Sequence, residues 1–125
     1  MHRRTFVVVA LAALLVAIVA PAALAINQRC EAIFCNGTSN KDNLSERQGN
    51  RVADNIRGRQ GDDIIGANLY SGDRDVLYGS QGDDKLRARD GDNRDRLNGG
   101  PGRRDRCYGD FGDEFSGCET QAEGD

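Results

Sequence analysis

Gly58-Arg59-Gln60-Gly61-Asp62-Asp63-Ile64-Ile65-Gly66 returns as Gly79-Ser80-Gln81-Gly82-Asp83-Asp84-Lys85-Leu86-Arg87. Both stretches read G-x-x-G-D-D-x-[aliphatic]-x. The part that recurs most widely is an Asp followed two places later by an apolar residue. The pairs are Asp42/Leu44, Asp54/Ile56, Asp63/Ile65, Asp75/Leu77, Asp84/Leu86, Asp95/Leu97 and Asp105/Cys107, with Glu114/Ser116 as an imperfect eighth. The residues on either side of each apolar one are mostly polar. That is period-two alternation over a very short strand, one side chain in and two out.

The spacing carries more than the motif. Successive Asp positions lie 12, 9, 12, 9, 11 and 10 residues apart, so that Asp42, Asp63, Asp84 and Asp105 keep a period of 21. Asp54, Asp75 and Asp95 form a second series at 21 and then 20. Such compensation predicts a flattened, two-sided coil of strand, turn, strand, turn, in which the turn between the two series varies in length. The fold class expected is all-β, a right-handed parallel β-roll or β-solenoid with about 21 residues per coil. Its core is two stacked columns, Leu44-Ile65-Leu86-Cys107 and Ile56-Leu77-Leu97. No coil buries enough alone, so stability comes from stacking.

Residues 1–25 read as a secretory signal peptide. Arg3 and Arg4 precede an apolar run from Phe6 to Ala20, Pro21 ends it, and Ala23-Leu24-Ala25 is an A-x-A cleavage site. A retained membrane anchor is the competing reading. The expected product is secreted and extracellular, with no membrane attachment after cleavage. The formal charge is −3, and loss of Arg3 and Arg4 takes it to −5. An acidic chain with few aromatics is a poor nucleic-acid binder. The only histidine, His2, leaves with the leader, which removes Ser/His and Cys/His catalysis, and no phosphate-loop or nucleophile-elbow motif occurs. No enzymatic activity is expected.

Cys30, Cys35, Cys107 and Cys118 sit in two pairs at the ends of the array. In an oxidising compartment they are expected to pair as Cys30–Cys35 and Cys107–Cys118 and to cap the solenoid. The C-x4-C and C-x10-C spacings do not suit zinc. The domain plan is a leader (1–25), an N-terminal disulfide cap (26–36), a calcium-binding roll (37–118) and a disordered acidic tail (119–125).

Calcium enters through the turns. The better motifs lie on the short-turn side: Gly58 to Asp63, Gly79 to Asp84, and Gly100-Pro101-Gly102-Arg103-Arg104-Asp105. Gly allows a tight reversal, and Asp closes it with a carboxylate. Two such turns stacked about 4.8 Å apart bring carboxylates together with backbone carbonyls. That arrangement repels itself unless a hard cation lies between, and Ca²⁺ takes six to eight oxygens in a flexible cage. The expected ligands are the carboxylates of Asp63 and Asp84, then Asp105 and Asp42. The carbonyls of Gly58, Gln60, Asp62, Gly79, Gln81 and Asp83 complete the shell. The long turns, with altered spacing around Gly72-Asp73-Arg74-Asp75 and Gly91-Asp92-Asn93-Arg94-Asp95, are expected to hold no full site. The alternative is a metal-free ladder in which arginines such as Arg59, Arg74, Arg94 and Arg103 neutralise the stacked aspartates, giving a cell-surface structural or adhesion module.

Over about 37–118 the chain resembles the hemolysin-type calcium-binding (repeats-in-toxin, RTX) β-roll, most specifically at the motifs that begin with Gly58 and Gly79. The resemblance implies a secreted bacterial protein that folds on meeting extracellular Ca²⁺. The lipase, protease or toxin domain that usually accompanies such a roll is not expected here.

Overall fold

The computed structural model describes residues 24–46 and 51–124. These residues form eleven short strands and no helix: β1 (Asn27–Arg29), β2 (Phe34–Asn36), β3 (Asn43–Ser45), β4 (Asn55–Gln60), β5 (Ile64–Gly66), β6 (Val76–Gln81), β7 (Lys85–Ala88), β8 (Arg96–Asn98), β9 (Arg106–Gly109), β10 (Glu114–Ser116) and β11 (Thr120–Glu123). Each strand pairs in parallel with the strand two places along. The odd strands make a six-stranded sheet, β1-β3-β5-β7-β9-β11, and the even strands a five-stranded sheet, β10-β8-β6-β4-β2. This is a β-solenoid, one coil of which crosses from sheet to sheet and back. The leader expected at 1–25 lies outside the described residues except for Leu24 and Ala25.

The register reproduces the period read from the Asp spacing. Leu44, Ile65, Leu86 and Cys107 are successive partners in the six-stranded sheet. Ile56, Leu77 and Leu97 are successive partners in the five-stranded one. All seven are buried. Each coil also turns inward a second time, two residues after each of these positions. Cys30, Glu46, Ala67, Ala88 and Gly109 line one corner and Gly37, Gly58, Gly79 and Gly99 the other, all of them buried. The periodicity reading saw two inward positions per coil, and the fold uses four.

Three boundaries need correcting. Residues 26–36 are not a cap ahead of the first coil. They are the first coil, with β1 paired to β3 and β2 to β4, and Cys35 heads the Ile56 column. The Glu114/Ser116 unit is out of register by one residue: Phe115 is the partner of Leu97, so the unit is Asp113/Phe115. Residues 119–124 of the segment expected as a disordered tail (119–125) are ordered. They contain β11, which pairs with β9 and sets Gln121 over Cys107. Parallel pairing is made by backbone groups, so a polar composition did not forbid it.

Both expected disulfides are formed, Cys30–Cys35 and Cys107–Cys118. Among the described residues no helix is long and apolar enough to cross a membrane.

Candidate metal centre: two columns of buried carboxylates

At each corner where a strand begins, the backbone N–H of the motif aspartate lies outside the sheet ladder. The aspartate of the next coil supplies the missing acceptor. On the short-turn side the N–H groups of Asp42, Asp63 and Asp84 donate to Oδ1 of Asp63, Asp84 and Asp105 at 2.8, 2.8 and 2.7 Å. Ile26 and Glu119 continue this ladder at its two ends, Ile26 N–H donating to Asp42 Oδ1 at 2.7 Å and Asp105 N–H to Glu119 Oε2 at 2.7 Å. On the long-turn side Asp54, Asp75 and Asp95 donate to Oδ1 of Asp75, Asp95 and Asp113 at 2.7, 2.8 and 3.0 Å. One oxygen of each carboxylate is therefore committed to the backbone. This alone gives the 21-residue aspartate period a structural reason.

In the middle of each column the second oxygen has no such use, whereas at the ends Asp42 Oδ2 accepts the Thr38 N–H and Asp113 Oδ2 accepts the Asp110 N–H at 2.7 Å. Oδ2 of Asp63, Asp84 and Asp105, and Oδ2 of Asp75 and Asp95, are buried and have no hydrogen-bond partner. On the short-turn side these oxygens lie against the glycine corner. A methyl carbon at Gly58 would stand 2.0 Å from Asp63 Oδ2 and 2.8 Å from the Gly79 carbonyl oxygen; one at Gly79 would stand 2.3 Å from Asp84 Oδ2 and 2.5 Å from the Gly99 carbonyl oxygen. Asp42 Oδ2 lies beside the Gly58 carbonyl in the same way. The structure thus sets Asp42 beside the Gly58 carbonyl, Asp63 beside the Gly79 carbonyl and Asp84 beside the Gly99 carbonyl, one coil after another. Gln60, Gln81, Asp62 and Asp83 lie instead on the exposed rim. There the carboxylates of Asp62 and Asp83 accept the N–H groups of Asp83 (2.9 Å) and Arg103 (3.1 Å).

Glycine at these corners therefore serves space. The left-handed positions fall one residue later, at Arg59 (φ 90°), Ser80 (φ 80°) and Gly100 (φ 95°). The third short turn accordingly begins at Gly99. A side chain in that conformation costs about 1–2 kcal/mol. Ser80→Gly and Arg59→Gly are each expected to raise stability by about 1 kcal/mol, after the extra entropy of glycine in the unfolded chain is subtracted. A shift of the urea midpoint to higher concentration checks this.

The long turns, expected to be poor sites, hold the densest acid clusters. Carboxylate oxygens of Glu46, Asp73 and Asp75 lie within 4.8 Å of one another, and so do those of Asp75, Asp90 and Asp95, of Asp73, Asp90 and Asp92, and of Asp92, Asp95 and Asp113. Seven acids therefore form one connected column. Glu46 occupies an inward core position, between Cys30 and Ala67 in the corner stack, and accepts the Leu69 N–H. Asp110 accepts the N–H groups of Asp90 and Gly91 at 2.9 and 2.8 Å and fixes the loop that carries Asp90 and Asp92. The sequence signal was present in the G-D-x-D and G-D-x-x-D runs that end at Asp75 and Asp95. It was discounted because their spacing departs from the short-turn motif.

Burial raises the affinity of these carboxyls for protons, and the neighbouring carboxylates add to it. The hydrogen bond from the preceding coil offsets only part. Asp63 and Asp90 are pushed up to about 6, Asp75 and Asp84 to about 7 and Asp95 to about 8. Glu46, Asp73, Asp105 and Asp113 are also raised, chiefly by desolvation. Arginine relieves them little. Arg51 lowers Asp73, but as the least of the influences on it. The ion pairs Arg96–Glu114 at 2.7 Å and Arg104–Asp83 at 3.9 Å both lie at the surface.

The donor set is entirely oxygen, acceptor-only where it is unpartnered, and free of sulfur and imidazole. All four cysteines are consumed in disulfides. Such a set fits a hard divalent cation and does not fit a soft one. The chain matches no family model, no curated protein and no solved structure.

Proposed function

We propose that the protein is a calcium-binding β-solenoid of the repeats-in-toxin kind, exported to an oxidising space where calcium completes its fold. The observation that supports this is the stack of buried carboxylate oxygens without partners, repeated coil after coil in both columns. Partnerless buried acceptors are costly, and like charges at this spacing raise the cost. A bound cation supplies the positive charge that relieves both. Asp75, Asp90 and Asp95 would hold it on the long-turn side. On the short-turn side Asp63 and Asp84 would do so, with the Gly79 carbonyl. Ca²⁺ suits this better than Mg²⁺, because corners built from flexible turns offer no rigid octahedron. The two disulfides agree with an oxidising compartment. The metal-free Arg–Asp alternative has weaker support: Arg51 is the least of the influences on Asp73, and the pairs Arg96–Glu114 and Arg104–Asp83 lie at the surface.

Asparagine keeps the Oδ1 acceptor of the ladder and removes the charge. Calcium titration by calorimetry should therefore show Asp95→Asn and Asp84→Asn each losing at least one ion, or binding it about tenfold or more weakly. Wild-type protein that takes up no calcium at millimolar concentrations while keeping its β spectrum would overturn the reading.

A further inference from the structure

Eleven of the twenty acidic residues are buried, whereas every arginine and lysine among the described residues reaches the surface. The formal charge of −3 therefore hides a surface on which cations outnumber acids. One group of them stands on the outer face of the six-stranded sheet, at β7 and β9; Arg57 and Arg96 stand on the opposite sheet, with Arg57 4.9 Å from the centre of the Tyr78 ring. Pairing of β7 with β9 sets Lys85 beside Arg106 and Arg87 beside Tyr108. Lys85 and Arg89 both lie over the Tyr108 ring, 5.4 and 5.7 Å from its centre, and Arg89 also donates to the Ala122 carbonyl at 3.2 Å. Acids border it on two sides: Asp62 and Asp83 at the turn edge, where Asp83 meets Arg104, and the exposed Glu119, just before β11, and Glu123, within β11, the strand that pairs with β9. In the rows that hold Lys85, Arg87 and Arg106, their neighbours from β3 and β5 are Asn43, Ser45, Ile64 and Gly66, none of them acidic.

We propose that this face binds an anionic polysaccharide bearing carboxylates or sulfates. Guanidinium forks match both groups bidentately. Parallel pairing sets Lys85 and Arg106 about 4.8 Å apart, with Arg87 on the next outward position, a cluster that suits neighbouring anionic groups of one polysaccharide chain. Bracing by Tyr108 holds Lys85 and Arg89 in place before contact. Other polyanions suit the face less well. Single-stranded nucleic acid needs an open aromatic platform, and the Tyr108 ring is already covered. The face is flat and has no ridge to enter a duplex groove. An anionic membrane surface needs apolar anchors, and the aliphatic side chains in these rows, Ile64 and Ala122, are half-buried.

The inference does not depend on the calcium reading, because the cations stand on outward strand positions. The test uses the purified protein with both disulfides formed, at one fixed calcium concentration. Binding is measured to immobilised dextran sulfate and polygalacturonate, with uncharged dextran as blank. The variant Lys85→Ala/Arg87→Ala/Arg106→Ala is compared with Arg57→Ala/Arg74→Ala/Arg96→Ala on the opposite side, which removes the same net charge. The first variant is expected to bind about tenfold or more weakly, and the second within about twofold of wild type. All six side chains point outward, so the circular dichroism of both variants should match wild type. Equal loss in both variants would reduce the effect to net charge and overturn the proposal. So would absence of binding to either polyanion, or tighter binding to duplex DNA or to phosphatidylserine vesicles.

Discussion

Gly79→Ala is expected to unfold the solenoid under conditions that leave Gly66→Ala folded. Both glycines lie in strands, and neither has a positive φ. What separates them is the space a methyl group would enter. At Gly66 the nearest atom is the Asn68 side-chain amide at 3.3 Å, which can swing away. At Gly79 the methyl carbon would meet Asp84 Oδ2 at 2.3 Å, the Gly99 carbonyl oxygen at 2.5 Å and Asp84 Cβ at 2.7 Å. The carbonyl belongs to the next coil, so relief requires moving one coil against another. That motion breaks the hydrogen bond from Ser80 N–H to the Gly99 carbonyl (2.9 Å) and pulls Asp84 away from Asp63 N–H (2.8 Å). Overpacking that cannot be relieved by side-chain rotation costs about 3 kcal/mol or more, a large share of the stability of a small domain. Gly66→Ala should stay within about 1 kcal/mol of wild type. Urea denaturation of the two variants under identical conditions checks the contrast.

The metal-free protein is expected to lose stability as the pH rises from about 5 to about 8, the reverse of ordinary acid denaturation. Asp63, Asp75, Asp84, Asp90 and Asp95 all have folded-state values raised above the usual carboxylate range, to between about 6 and about 8. In that window the folded chain keeps protons that the unfolded chain has already released. Stability from these groups is fully present below the unfolded carboxylate value and is lost as the pH climbs through the folded ones. In chelator-treated protein a melting transition is expected near pH 5, and it should fall by at least about 4–8 °C, to the point of disappearing, as the pH reaches about 8. Excess calcium should invert the order, because the ion binds the ionised carboxylates and competes with protons. Thermal melts at the two pH values, with and without calcium, give the four numbers needed. A metal-free melting temperature that is flat or rises with pH would contradict the burial of these groups.

The main lines of this fold were legible because its repeat is rigid where it matters. Asp and an apolar residue two places later must recur whenever a strand begins, and the 21-residue period follows from returning to the same sheet. Ile65, Leu77 and Leu86 are therefore where the spacing placed them. Glu46 was not legible, because it follows Ser45 with no pattern to mark it and occupies a core position that composition would assign to an apolar residue. Asp73, Asp90 and Asp92 were missed for a different reason. Their loops vary in length, and only the folded loop shows that the extra residues turn their carboxylates inward. The last coil is shortened, with Phe115 reaching Leu97 after 18 residues, so the earlier spacing did not mark Asp113/Phe115 over Glu114/Ser116 as the unit. The glycine motif was recognised, but the cause at Gly58 and Gly79 is a carboxylate from the same turn and a carbonyl from the next coil, neither of which a sequence displays.

The central claim is that the buried, partnerless carboxylate oxygens require a hard cation for the coils to stack. Far-UV circular dichroism of chelator-treated protein, with its disulfides intact, tests this most directly during titration with Ca²⁺ and, separately, Mg²⁺. The account predicts a weakly structured chain at neutral pH that gains its β spectrum on adding Ca²⁺ and not on adding Mg²⁺. A full β spectrum in the chelator, unchanged by either ion, would contradict it and leave the aspartate ladder as a purely structural device.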